Sequence, residues 1–123
     1  MGRDRSLNTL DARFKPLAIE LLARLVESCI LVMIIETRRT EEQHLADVAS
    51  GHSWVKHSKH QDGLAIDICP YFIWQEVGED KLQWDAADPI WQRIGAIGEQ
   101  IGLVWGGRWT HKDMGHFELK EGA

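Results

Sequence analysis

The chain has 123 residues, enough for one domain that buries a hydrophobic core without the help of disulfide bonds. Hydrophobic residues make up 44% of it and charged residues 27%, as in ordinary globular domains. The formal net charge of -5 gives non-specific binding to nucleic acid no electrostatic support, and two cysteines are too few for a disulfide framework.

The first third of the chain predicts a helix followed by a strand. Apolar residues recur at helical spacing over 16–29, and Cys29 is the last of them. The continuous apolar run 30–35 predicts a buried strand, since it is far too short to span a bilayer. We expect both Cys29 and Cys69 to be small buried side chains in a reduced protein.

A second helix and a second strand follow. Thr40 and Gln43 have the spacing of a capping box, in which Gln43 reaches back to the N-cap, and the helix should end near Gly51. The polar stretch 51–63 predicts a loop. Alternating apolar residues over 64–69 predict the next strand, which a proline stops.

The last third of the chain holds the clearest helical pattern. Asp88 is a good N-cap for a helix over 89–101, and Gly102 is a natural end to it. Short strands are expected over 103–105 and 115–119. Helices and short strands in this irregular order predict an α+β fold, with a small, mainly antiparallel sheet and flanking helices.

The chain shows no repeats and no obvious linker. We therefore expect a single catalytic domain over residues 1–123 with no appended binding domain. The N-terminus leads into no continuous apolar segment, so no signal peptide and no membrane insertion are expected.

One strand points a carboxylate away from the core. Side chains alternate between faces along a strand, so Ile66 and Ile68 should face the core while Asp67 faces the other way. His60 lies on the loop that leads into this strand, and Gly63 permits a sharp turn between them.

The last strand repeats this arrangement. Phe117 should face the core, and His116 and Glu118 should share the opposite face. If the two strands are neighbours, Asp67 and His116 meet in one cleft, and His60 completes the group. Two imidazoles and one carboxylate form a typical catalytic zinc site, which keeps a fourth position for water.

The remaining histidines have other interpretations. Four of them have the ordinary interpretation of solvated or hydrogen-bonded side chains: His44, His52, His57 and His111. Of these, His52 and His57 are close enough in sequence to His60 to be alternative ligands. No HExxH helix is present, so the common metalloprotease signature is absent.

Two segments together resemble a known family. They are Ser-x-His-x-x-Gly-x-Ala-x-Asp over 58–67 and Asp-x-x-His-Phe-Glu over 113–118. They resemble the D-Ala-D-Ala carboxypeptidase-like (VanY-type) zinc metallopeptidases, and within that group the phage endolysins that act as L-alanyl-D-glutamate peptidases. The segment 37–43 is similar to the family's Tyr-Arg-Ser/Thr…Gln segment, and the resemblance covers about residues 16–119.

The resemblance implies roles for individual residues. The zinc ligands would be His60, Asp67 and His116. Asp113 would be the general base that activates water, and Arg38 would stabilise the developing oxyanion. A shift of one residue would give that role to Arg39. The ordinary alternatives are a solvated carboxylate for Asp113 and a surface ion pair for Arg38.

The tryptophans divide into two groups. Three are expected to be buried or partly buried in the core: Trp84, Trp91 and Trp105. Trp54 and Trp109 flank the two motifs and are candidates for the walls of a substrate groove, with Ser58 as a further substrate contact.

The resemblance implies a zinc-dependent endopeptidase that cleaves the bond between L-alanine and D-glutamate in the stem peptide of bacterial peptidoglycan. The alternatives are a D-Ala-D-Ala carboxypeptidase or dipeptidase and a non-catalytic zinc-binding domain. We expect a monomer made in the cytoplasm of a phage-infected host, which reaches the wall after the membrane is permeabilised.

Overall fold

The computed structural model of the chain describes residues 3–51, 57–71 and 82–122. Within these ranges the helices are α1 (Lys15–Glu27), α2 (Glu41–Ala49) and α3 (Ile90–Ile101), and the strands are β1 (Val32–Glu36), β2 (Ala65–Pro70), β3 (Val104–Trp105) and β4 (His116–Glu118). Three short 3₁₀ turns accompany them: Leu7–Thr9, Lys59–Asp62 and Gly106–Arg108. The predicted α+β class is confirmed, and no helix in the described ranges is long and apolar enough to cross a membrane.

In the described ranges the strands form one antiparallel sheet in the order β1-β2-β4-β3. Its register places Asp67 of β2 directly opposite His116 of β4. On the other side of β2, Ile34 pairs with Ile68, but an irregularity in β1 then brings Glu36 opposite Asp67. Three polar residues therefore form a row across the sheet.

Helix α3 packs closely against the sheet because it carries glycines where aromatic rings approach it. A Cβ at Gly95 would lie 2.4 Å from the Trp105 ring, and one at Gly98 would lie 2.3 Å from the Phe117 ring. Trp105 and Phe117 are almost fully buried. The strand that carries His116 is thereby held against a rigid helix.

Two side chains expected in the core are exposed instead. Helix α1 ends at Glu27, and Cys29 adopts a left-handed conformation with φ of 59° in the turn that follows. Its side chain is exposed, and Ile30 enters the core in its place, whereas Cys69 is buried as predicted. Trp84 was also wrongly assigned, since it is 52% exposed. The predictions for Trp91 and Trp105 are confirmed.

The N-terminus of α2 is capped only in part as expected. Thr40 accepts the N–H of Gln43, but the Gln43 side chain donates to Asp47 instead of reaching back to the cap. A reciprocal capping box occurs between Ser58 and Gln61. It orders a 3₁₀ turn inside the segment that was predicted to be only a loop.

Helix α3 lies close to its predicted limits. Asp88 accepts the N–H of Ile90 through its side chain, while Pro89 lies just before the helix rather than inside it. The helix ends at Gly102, which has the left-handed conformation expected of it, with φ of 101°.

Candidate metal centre

The fold brings three of the predicted site residues together. His60, Asp67 and His116 each offer a ligand atom, and these atoms all lie within 4.8 Å of one another. Oδ1 of Asp67 is central, at 3.1 Å from Nε2 of His60 and 2.9 Å from Nδ1 of His116. The donor set, two imidazoles and one carboxylate, is that of a catalytic zinc site.

Local backbone structure places His60 in the cluster. The Ser58 hydroxyl accepts the N–H of His60, which fixes the start of the 3₁₀ turn. The turn ends at Gly63, with φ of 72°, where a Cβ would lie 2.8 Å from the backbone nitrogen of Asp11. Only glycine fits this turn into β2. Ser58 itself is buried, and its role in substrate binding stays a prediction.

The ring of His60 is oriented by one backbone carbonyl. Its Nδ1 lies 2.7 Å from the carbonyl oxygen of Thr37, so Nδ1–H donates to that oxygen and Nε2 is turned toward the cluster. Nε2 is buried, and within the described residues it has no hydrogen-bond partner, although it faces Asp67. A buried unsatisfied nitrogen costs about 1–3 kcal/mol. A metal ion at the cluster would satisfy this atom.

The ring of His116 is oriented by a carboxylate. Its Nε2 lies 2.8 Å from Oε1 of Glu118, which leaves Nδ1 facing Asp67. Lys59 approaches the other oxygen of Glu118 at 3.3 Å. Carboxylates that accept the second N–H of a metal-binding histidine fix the ring and raise its basicity. Glu118 therefore has the position of an orienting residue.

The cluster is strongly coupled electrostatically. Burial acts to lower the pKa of His116, but its hydrogen bonds to Asp67 and Glu118 dominate and raise that pKa to about 10. Burial acts to raise the pKa of Asp67, but the charge of His60 and the hydrogen bond from His116 hold it well below its ordinary value. Asp67 is thus ionised and attracts cations. Protons and a metal ion would compete for the two rings.

Asp113 lies beside the cluster. Its Oδ2 is 3.8 Å from Nδ1 of His116, and its side chain is 47% exposed. Burial and the negative charge of Asp67 raise its pKa. A Cβ at position 106 would lie 2.5 Å from the Asp113 carbonyl oxygen. Glycine at this position therefore allows the loop that carries Asp113 to pack closely enough to bring its carboxylate beside the cluster.

The two adjacent arginines have different environments. Arg38 is exposed, whereas the side chain of Arg39 is only 10% exposed. Arg39 donates to Oε1 of Glu36 through Nε at 3.1 Å and through Nη2 as well, and its Nη1 lies 3.1 Å from Nδ1 of His44. That oxygen of Glu36 is 3.9 Å from Nε2 of His60. The structure thus holds Arg39, rather than Arg38, next to the cluster.

A buried charged network behind Arg39 did not emerge from the sequence. Arg3 donates to both oxygens of Asp47 at 2.7 and 2.9 Å and to Glu36 at 2.8 Å. Hydrogen bonds from Arg3 lower the pKa of Asp47 to about 2 despite its burial. The only hint in the sequence was Glu36 at the end of an apolar strand, where a lone charge needs a partner.

One of the two predicted groove tryptophans lies at the site. The ring centroids of Trp109 and His116 are 5.0 Å apart, and Trp109 is partly exposed. It therefore borders the cluster and is accessible to solvent. Trp54 lies outside the described residues.

The other histidines have ordinary roles where they are described. His57 is exposed and pairs with Asp62 at 2.9 Å, away from the cluster. His44 is buried against Arg39, and His111 is exposed. His52 lies outside the described residues. Within the described ranges, His57 is therefore not a competing ligand.

Comparison with known proteins agrees with the motifs. A family model described as D-alanyl-D-alanine carboxypeptidase matches residues 50–119, which include the whole cluster. The chain is 30% identical over 98 residues to the L-alanyl-D-glutamate peptidase of Escherichia phage T5, covering 73% of this chain and 67% of that protein. It is 32% identical over 107 residues to the protein of the same name from Listeria phage A118, covering 85% of this chain but only 36% of that protein.

A solved structure has the same fold. The Serratia marcescens L-Ala D-Glu endopeptidase ChiX superposes with a TM-score of 0.69 at 20% identity, over 93% of this chain and 83% of that one. These matches confirm the family resemblance inferred from residues 58–67 and 113–118, and they confirm the fold.

Proposed function

Because this chain belongs to the D-alanyl-D-alanine carboxypeptidase family, a family of peptidases, we propose that it is a zinc-dependent hydrolase of the L-Ala–D-Glu bond in the peptidoglycan stem peptide. The observation that carries the proposal is the buried His60–Asp67–His116 cluster, with the carboxylate of Asp113 beside it. Two phage relatives named for this bond support the choice of substrate.

Three side chains would hold the metal. Nε2 of His60 and Nδ1 of His116 are the ring nitrogens that face Asp67, which supplies an ionised oxygen between them. A zinc ion bound there would act as a Lewis acid and make water a strong nucleophile near neutral pH. The second nitrogen of each ring is already engaged, so the ligands are preorganised.

Asp113 is the proposed general base. It accepts a proton from the water that attacks the scissile carbonyl carbon, and it returns that proton to the nitrogen of the leaving amine. Burial and the charge of Asp67 raise its pKa, which makes it a better proton acceptor than an ordinary aspartate. Its partial exposure leaves it accessible to substrate.

Arg39 is the proposed cation for the developing oxyanion. Its guanidinium is held beside the cluster by Glu36, whereas Arg38 is exposed. A preorganised donor of this kind is typically worth about a hundred- to a thousand-fold in rate. We therefore transfer to Arg39 the role that the sequence motif first indicated for Arg38.

The second candidate is a D-Ala-D-Ala carboxypeptidase, which the description of the matching family favours. Two peptides separate the candidates: the stem peptide L-Ala-D-Glu-diaminopimelate-D-Ala-D-Ala and the same peptide without its L-Ala. The proposed enzyme frees L-Ala from the first and leaves the second intact. Release of terminal D-Ala from both peptides, without free L-Ala, would establish the carboxypeptidase.

A further inference from the structure

A cavity of about 300 Å³ lies on the Glu36 side of the His60–Asp67–His116 cluster. Its walls come from Arg3 and Asp4 near the N-terminus, Glu36 at the end of β1, the segment 38–40 that follows, and the first turn of α2. Glu36 belongs both to the wall of this cavity and to the surroundings of the cluster, since its Oε1 is 3.9 Å from Nε2 of His60. The cavity and the cluster therefore share Glu36 as a common neighbour.

Three arginines line the cavity, and two of them are already paired. Arg3 is bound to Glu36 and Asp47, and Arg39 is bound to Glu36. The remaining carboxylate of the wall, Asp4, accepts the backbone N–H of Ser6 and lies within hydrogen-bonding distance of the Thr37 hydroxyl. The charges of these residues are thus largely balanced within the fold.

Arg38 is the unpaired cation of this cavity. Among the described residues no hydrogen bond or ion pair to its guanidinium occurs, and its charge has only a minor interaction with the carboxylate of Asp11. Asp11 itself is engaged by Arg13, at 2.9 Å from Nε and 3.3 Å from Nη2. The planar fork of the Arg38 guanidinium is therefore free to bind an anion from solution.

The proposed substrate offers such an anion. A glutamate residue has two carboxyl groups, and when its nitrogen bears L-alanine and one carboxyl is joined to the next residue, the other carboxyl stays free. This carboxylate lies only a few bonds from the scissile amide. Guanidinium and carboxylate form charge-assisted, often bidentate pairs, which discriminate strongly against a neutral amide.

We propose that the cavity beside the cluster binds the free carboxylate of the substrate's glutamate residue and that Arg38 is the residue that recognises it. This inference rests on the proposed cleavage at L-Ala–D-Glu. Its consequence is selectivity: the enzyme prefers stem peptides with a free carboxylate to those in which the same group is amidated.

Binding measurements test the assignment directly. The ligands are N-acetyl-L-Ala-D-Glu with its γ-carboxyl capped and its α-carboxyl either free or amidated, titrated by calorimetry into zinc-loaded Asp113→Asn protein. The free acid should bind about tenfold more tightly. Adding Arg38→Gln should abolish the preference, and Arg38→Lys should keep part of it. Arg93→Gln, which changes an exposed arginine on α3, should leave it unchanged.

Two outcomes overturn the assignment. One is the absence of a measurable preference for the acid, and the other is a preference that survives Arg38→Gln. If Arg38 instead stabilises the oxyanion, Arg38→Gln in otherwise wild-type protein lowers turnover of the acid and the amide equally, which also overturns it. An Arg38-dependent preference in a protein that cleaves no L-Ala–D-Glu bond would contradict the proposed function and leave the carboxylate site standing.

Discussion

Asp67 and His116 face each other across neighbouring strands, with Oδ1 of Asp67 2.9 Å from Nδ1 of His116. This contact depends on the register of β2 against β4, because a slip of one residue would turn either side chain to the opposite face of the sheet. The Phe117 ring packed on Gly98 keeps β4 in that register. The geometry of the candidate site is thus a consequence of core packing.

Metal content is the first prediction. The purified protein should bind about one zinc ion, as expected of a three-ligand open site. Chelation should abolish activity, and added zinc should restore it. His60→Ala should lose the metal because it removes a central donor, while His57→Ala, three residues away at the surface, should retain it. Stoichiometric zinc in His60→Ala by elemental analysis would contradict the ligand assignment.

The orienting role of Glu118 is the second prediction. Glu118→Ala removes the acceptor of the His116 Nε2–H and should weaken zinc affinity about ten- to a hundred-fold. Glu121→Ala is the matched control, since Glu121 also pairs with Lys59, at 3.0 Å, but is almost fully exposed. Competition titrations with a zinc chelator give both affinities. Equal affinities in the two variants would show that the His116–Glu118 contact does not affect the metal.

The general base is the third prediction. Asp113→Asn keeps the shape of the side chain but cannot accept a proton. Zinc binding should survive, and turnover of the stem peptide should fall by about a hundred- to ten-thousand-fold. Glu42→Gln, an exposed carboxylate on α2, should have wild-type turnover. If Asp113→Asn also turned over at the wild-type rate, another group would have to be the base.

The fourth prediction concerns stability and pH. Arg3 lowers the pKa of Asp47 in the folded state to about 2, below the ordinary value of 3.8. Asp47 therefore stabilises the fold above pH 3.8, and this contribution is lost as the pH falls through about 2. Asp47→Asn should lower the free energy of unfolding at pH 7 by about 2 kcal/mol.

Urea titrations at pH 7 and at successively lower pH measure this difference. The difference in the free energy of unfolding between wild type and Asp47→Asn should decrease as the pH falls from about 4 to about 2. Glu20→Gln, which breaks the exposed Glu20–Arg24 pair, should have little effect at any pH. If this difference in unfolding free energy stays constant with pH, Asp47 stabilises the fold through packing and not through its charge.

The cluster could be predicted from the sequence for a physical reason. Side chains alternate strictly between the two faces of a strand. Along β2 and β4 this alternation turns Asp67 and His116 away from the face of their apolar neighbours. The arginine beside the cluster could not be predicted in the same way. Arg38 and Arg39 lie in irregular backbone after β1, where no period indicates which side chain turns inward.

The buried network was beyond sequence reasoning for a related reason. Glu36 lies opposite Asp67 only because the register of β1 shifts after Ile34, and local sequence does not specify such a shift. Arg3 reaches Asp47 across 44 positions of sequence, which no local pattern encodes. Cys29 was misplaced for a simpler reason, since the apolar period continued past the true end of α1.

The bond that is cleaved tests the central claim most directly. Purified peptidoglycan is digested with the zinc-loaded protein, and the soluble fragments are analysed by mass spectrometry with labelling of new amino termini. We predict new amino termini on D-glutamate and matching carboxyl termini on L-alanine, both absent with Asp113→Asn. Release of D-alanine alone, or no new termini from fully zinc-loaded protein, would contradict the assignment of this chain as an L-Ala–D-Glu peptidase.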